Sequence, residues 1–203
     1  MPTTFIARNT ASTLGGTGQL LLSQRYGRTI TNAVTSTVDG GTNIQLTQTA
    51  GGQALTWFTE PIAEAVTISG SLTVWLSGRQ STSNVNAGAG VLIERCNNAG
   101  TVLSTILADT TIPPTITEWG TSNTQRTASY TPTSTSMAAG ERIKVTFKVR
   151  NVGTMGAGTV TNTYGDGSNT SNNSQVRFTE DIITDEVIDV QQPEIYGSNG
   201  YRV

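Results

Sequence analysis

The chain has 203 residues, a formal charge of −2, and 13% charged against 35% hydrophobic residues, about half the charged share usual in soluble proteins. With no histidine and a single cysteine, it excludes His-based triads, His or Cys metal clusters and an intrachain disulfide framework. The near-neutral balance supplies no basic field for nucleic acid, and the apolar runs are strand-sized, so no membrane-spanning helix is expected.

The N-terminal stretch MPTTFIARNTAS has neither a basic segment nor an apolar run and does not read as a secretory leader. TTFIAR (3–8) is a strand candidate, but residues 1–40 are rich in Gly and Thr. The expectation there is an extended segment only partly packed on the body. TNIQLTQT (42–49) and ALTWFT (54–59) follow as short strands. In VTISGSLTVWLSG (66–78) Val66, Ile68, Leu72, Val74 and Leu76 fall on one parity and Thr67, Thr73, Trp75 and Ser77 on the other. Such alternation places the apolar set on one face of a strand, whereas a helix would scatter it.

AGVLIERC (89–96), TVLSTILAD (101–109) and QRTASYTP (125–132) continue the series, separated by turn residues such as NNAG (97–100) and IPP (112–114). ERIKVTFKVRN (141–151) alternates again, with Ile143, Val145, Phe147 and Val149 opposed to Arg142, Lys144, Lys148 and Arg150. GTVTNTY (158–164) and SQVRFT (174–179) flank the polar stretch TYGDGSNTSNNSQV (163–176). Apart from a weak helical turn around Thr184–Val190, nothing shows helical periodicity. Short strands at this spacing predict an all-β fold, an antiparallel two-sheet β-sandwich over 41–179 with extended arms at 1–40 and 180–203.

Two resemblances sharpen this. WFTEPIAEAVTISGSLTVWLSG (57–78) with AAGERIKVTFKV (138–149) resembles the galactose-binding-like jelly rolls appended to X-Pro dipeptidyl peptidases and related esterases. The resemblance spans roughly 54–178 and implies a jelly roll. That family's catalytic residues lie in a separate hydrolase domain, so no active-site residue carries over. In style, the start MPTTFIARNTAS, the Thr/Gly/Asn-rich body of low charge and the acidic-apolar tail resemble tailed-bacteriophage virion proteins, among them head decoration (cement) proteins. Fold alone does not fix function.

Candidate sites are few. The loop at 163–176 offers Asp166, Ser168 and Asn169, but calcium needs six to eight oxygens and usually several carboxylates. It reads as a hairpin loop, with a metal or sugar site as the alternative. Trp75 sits on the polar parity of its strand and is open to three readings: cover by another segment, a protein interface, or a carbohydrate platform. Trp57 and Trp119 read as core or loop-covering residues, and Cys96 as a buried, inert thiol. Arg142, Lys144, Lys148 and Arg150 form a cationic stripe, either merely solvated or met by the tail acids Glu180, Asp181, Asp185, Glu186 and Asp189. The apolar tail residues, Tyr196 among them, imply that the tail docks on its own domain or on a neighbour. Carboxylate pairs such as Glu60 with Glu64, or Glu94 with Glu118, are not singled out by spacing as glycosidase groups.

The expected function is therefore non-enzymatic: a virion structural protein, assembled from the cytoplasm, that contacts capsid or tail proteins and its own copies as a homo-oligomer. No cofactor, metal, nucleic acid or membrane partner is expected. The alternative is a carbohydrate-binding module used in host attachment, through Trp75 or the loop at 163–176.

Overall fold

The computed structural model describes residues 1–15, 19–23, 32–41, 45–47, 49–50, 53–54, 56–164 and 174–185. In chain order the strands are β1 (Thr3–Ala11), β2 (Gln19–Ser23), β3 (Asn32–Gly41), β4 (Gln45–Thr47), β5 (Thr49–Ala50), β6 (Gln53–Ala54), β7 (Thr56–Thr59), β8 (Val66–Ile68) and β9 (Leu72–Gln80). After a 3₁₀ turn at Ser83–Val85 come β10 (Ala87–Cys96), β11 (Val102–Ile112), β12 (Thr124–Tyr130), β13 (Thr135–Met137), β14 (Arg142–Asn151), β15 (Met155–Tyr164) and β16 (Gln175–Phe178). No α-helix occurs among the described residues, as the period-two pattern requires.

One hydrogen-bonded path runs β11-β10-β14-β7-β2-β1-β16-β9-β15-β3, with β12 on β9 and β4 on β14. It doubles back on itself to make a β-sandwich. One layer is built on β14, whose Ile143, Val145, Phe147 and Val149 are all buried. The other is built on β9, which turns Leu72, Val74 and Leu76 inward. Between them lies one continuous core, including Trp57 against Phe147 (ring centroids 5.3 Å, edge-on) and Phe5 against Phe178 (6.1 Å, edge-on). Edge-on aromatic pairs of this kind are favourable beyond the area they bury. The two layers are also tied by Thr133 N–H to the Ile106 carbonyl at 2.8 Å and by the Tyr130 hydroxyl to the Thr111 carbonyl.

Three strand lines are interrupted. β15 pairs with residues 77–80 of β9 and β16 with residues 72–75, on the edge opposite β12. They run in the same direction, end to end. Thr163 faces Ser77 and Gln175 faces Trp75, so the polar stretch at 163–176 does not close a hairpin, as the sequence suggested. It leaves and rejoins a single strand line; residues 165–173 lie outside the described residues. β4 and β7 share the edge of β14 in the same way, and β1 and β3 share the outer edge of β16 and β15.

The N-terminal segment departs from the expectation of a loosely packed arm. β1 is a full member of the sandwich: Phe5, Ile6 and Ala7 are buried, and Thr3 through Ile6 pair with β16. Alternation there is short and interrupted by Gly and Thr, but the vacant edge of β16 supplies partners that sequence cannot display. β2, which follows, pairs antiparallel with β1 and parallel with β7, from Gln19↔Thr56 to Leu22↔Thr59. The sandwich is therefore not wholly antiparallel.

The run 66–78 is also divided. β8 pairs with β13 in a small separate sheet, and the ladder breaks at Ser69–Ser71. There the Glu180 carboxylate accepts the backbone N–H groups of Ser69 (2.7 Å) and Gly70 (2.5 Å). A side chain at Gly70 would lie 2.0 Å from Thr179 Oγ1, so glycine is what lets the C-terminal segment approach.

If β1 is structural, deleting residues 1–8 strips the edge of β16 and removes the Phe5–Phe178 contact. The truncated chain is expected to lose its cooperative thermal transition, followed by circular dichroism. A transition at the full-length temperature would mean that the segment is an arm after all.

Candidate interaction surface

The cationic stripe faces outward from β14, as parity demands, but its charges are already matched. Lys144 Nζ lies 2.9 Å from Glu94 on β10. Lys148 lies 2.5 Å from Asp109 on β11, which also receives Arg150. Arg142 is only 4% exposed. Its guanidinium donates to the Thr59 carbonyl (2.8 Å), the Asn98 carbonyl (3.1 Å) and Thr13 Oγ1 (2.8 Å), with the Glu60 carboxylate at 3.4 Å. A buried charge is tolerated only with such a full set of partners. Spacing could not reveal these acids, because Glu60, Glu94 and Asp109 reach the stripe through strand register.

The expected partnership with the tail does not form within the chain for the described acids. Glu180 is held at Ser69 and Gly70. Asp181 lies 3.0 Å from the N-terminal ammonium, and Asp185 donates its backbone N–H to the Pro61 carbonyl at 2.8 Å. The start of the tail docks on its own domain: Ile182 is buried, its N–H meets Thr3 Oγ1 at 2.8 Å, and Thr184 bridges Ile62. Glu186, Asp189 and Tyr196 lie outside the described residues.

Glycines make the charge grid possible. At Gly90 on β10 an added Cβ would lie 2.6 Å from Arg150 Nε and 2.8 Å from its Cγ, so Arg150 lies flat across the strand to reach Asp109. Farther along, Arg95 and Glu141 form a two-point pair at 2.7 and 2.6 Å. The Arg95 bond, helped by the Ala138 N–H, holds the Glu141 carboxyl below its ordinary range despite an opposing effect of burial. Burial pushes Glu180 up, but the Ser69 and Gly70 N–H groups outweigh it and leave the carboxyl lowered. Burial raises the Cys96 thiol to about 11, consistent with an inert side chain.

The other layer presents a different outer face. Trp75 is half-buried, between Thr127 on β12 and Gln175 on β16. Around it stand Thr73, hydrogen-bonded to Ser129 at 2.9 Å, and Arg177 opposite Thr73. One part-exposed indole thus stands among Thr73, Thr127, Ser129 and Arg177 on this outer face. Trp119, by contrast, is 1% exposed and packs over Gly78, a core position as its sequence reading allowed. Among the described residues no three His, Cys, Asp or Glu side chains come together as a metal site. No described helix is long and apolar enough to cross a membrane.

No protein-family model matches the sequence, and no curated protein sequence matches it. Solved structures do match in shape. A CocE/NonD family hydrolase from Staphylococcus aureus aligns over 91% of this chain and 36% of its own, with a TM-score of 0.56 and 9% identity. An aminopeptidase from a marine sediment Thaumarchaeota archaeon aligns over 88% and 36%, with a TM-score of 0.55 and 9% identity. An alpha-amino acid ester hydrolase aligns over 87% and 36%, with a TM-score of 0.53 and 12% identity. The chain thus spans little more than a third of the proteins it resembles. What it shares with them is the fold, the β-sandwich of the CocE/NonD hydrolase C-terminal domain, in agreement with the resemblance read from 57–78 and 138–149.

Two outcomes test the charge grid. Gly90→Ala is expected to destabilise by about 1–3 kcal/mol in urea unfolding, through displacement of Arg150. Glu141 has a folded pKa below its unfolded one, so its contribution is present above the unfolded value and lost as pH falls through the folded one. Glu141→Gln should therefore flatten the fall in melting temperature between roughly pH 5 and pH 3.

Proposed function

We propose that this chain is a non-enzymatic structural protein of a virus particle, of the tailed-bacteriophage kind, that stabilises the particle through protein–protein contacts. Head decoration is the first placement and a head–tail or tail position the second. Capsid or tail proteins and further copies of the chain are its partners. The observation that carries the reading is the outer face around Trp75, where a half-buried indole stands among Thr73, Thr127 and Ser129 on a rigid sheet. Interfaces draw much of their energy from such aromatic anchors ringed by residues that exclude water. The low charge of the chain suits broad contacts built from many weak hydrogen bonds. The paired cations of β14 support it too, since a neutralised face does not steer the chain toward nucleic acid.

The test is occupancy. In particles of the virus that encodes the chain, Trp75→Ala is expected to lower incorporation by about tenfold or more while leaving the melting temperature of the free protein within a few degrees. Full occupancy of the variant, scored by densitometry of purified particles, would remove Trp75 as the anchor.

A further inference from the structure

The cations of β14 are matched within the chain, and Arg95 is matched by Glu141. Two arginines of the other layer are not. Arg79 on β9 and Arg177 on β16 are exposed, and among the described residues neither has a hydrogen-bond or ion-pair partner. Both lie on the outer face with Trp75. Thr73, Trp75 and Arg79 share one parity of β9, and Arg177 stands opposite Thr73. Trp75 therefore sits between the two cations, two residues along β9 from the level of Arg177 and four from Arg79. The strands β9, β12 and β16 contain no acidic residue to offset them.

An indole between two unmatched guanidinium groups suits an extended segment that carries carboxylates on either side of apolar residues. The carboxylates give the arginines charge-assisted hydrogen bonds, and the apolar residues cover the indole. A purely apolar partner would bury two charges without partners. The chain itself carries a segment of the required kind. Residues 186–203, which lie outside the described residues, read EVIDVQQPEIYGSNGYRV. Asp189 and Glu194 are five residues apart, about 17 Å in an extended chain, while Thr73 and Arg79 are six apart, about 20 Å. Arginine side chains are long enough to take up the difference. Val190 and Pro193 fall between the two acids.

That segment begins on the far side of its own body. Asp185 donates its N–H to the Pro61 carbonyl, and the next residue, Ile62, donates to the Glu141 carbonyl, both at 2.8 Å. Asp185 thus lies beside the start of β14, in the layer opposite Trp75.

We propose that the Trp75 face binds the acidic C-terminal segment, residues 186–196, of a second copy of the chain. The inference rests on the reading of Trp75 as an interface anchor and names its occupant. Each copy gives one segment and receives another, a head-to-tail contact that closes into a ring or extends as a filament.

The test is self-association of the full chain, followed by sedimentation velocity over a concentration series. Concentration-dependent assembly is expected, and added salt should weaken it, because exposed charges take part. Arg79→Glu with Arg177→Glu should weaken assembly about tenfold or more, and so should Asp189→Arg with Glu194→Arg, since each pair of changes turns two attractions into repulsions. A chain with all four changes should assemble again. Arg79 and Arg177 are exposed, so the melting temperature of the face variant should stay near that of the parent. A chain that is monomeric throughout the series overturns the proposal. So does a loss that the four changes together do not restore. Assembly that responds to the face changes but not to the tail changes overturns it as well, because another part of the second copy then occupies the face. If any of these results accompanies lowered particle occupancy of Trp75→Ala, the particle reading stands and only this occupant is removed.

Discussion

Ile6 pairs with Gln175 on one side and Ser23 on the other, and this double engagement holds the two layers of the sandwich together. A strand buried in the body must place every N–H and carbonyl, because an unpaired buried backbone group costs about as much as a lost hydrogen bond. β1 meets that demand by changing partners along its length, from β16 at Thr3–Ile6 to β2 at Ile6–Ala11. The register shift between Ala7 and Ala11 marks where it turns the corner. Such irregularities bend a strand from one layer to the next. β2 then reaches β7, and β7 reaches β14, so the layer opposite β16 is registered through this one N-terminal strand.

Electrostatics follows the same geometry. Arg142 gathers Thr59 from the end of β7 and Asn98 and Thr13 from two separate connections around one guanidinium. Once that charge is buried, its worth lies less in net stability than in fixing how those connections sit, since ion pairs of this kind roughly offset their own desolvation. The remaining cations of β14 are bound to β10 and β11, which leaves a face without free attraction for a polyanion.

What the sequence made legible is what period two encodes. Ile143 to Val149, Leu72 to Leu76, the outward parity of Trp75 and the cover over Trp119 all follow from alternation or from local turn residues. What stayed hidden depends on contacts between distant segments. The strand character of residues 32–41 appears only against β15. The break at Gly70 needs Glu180, 110 positions away, and the stripe needs Glu60, Glu94 and Asp109 in register. The contacts of Glu118 left no local trace either, because Gln80, Glu118 and Arg126 are ordinary polar residues until β9, β12 and the 113–123 connection bring them together.

The interrupted strand lines show how one body can take up extra chain without losing its ladders. Where β4 yields to β7 along β14, and β15 to β16 along β9, chain is inserted between neighbouring ladder positions while the strand direction is kept. Closing a loop costs free energy that grows only slowly with its length. Insertions at these points therefore leave the core packing of β9 and β14 untouched. The connection that carries Glu118 and Trp119 is bound more closely: backbone bonds tie it to Ala87 and Gln80, Arg126 donates to the Glu118 carbonyl, and Trp119 is part of the core. A sandwich so built separates the residues that fold it from those on its outer faces. Its inward parity is constrained by volume, whereas its insertions and its outer parity are not.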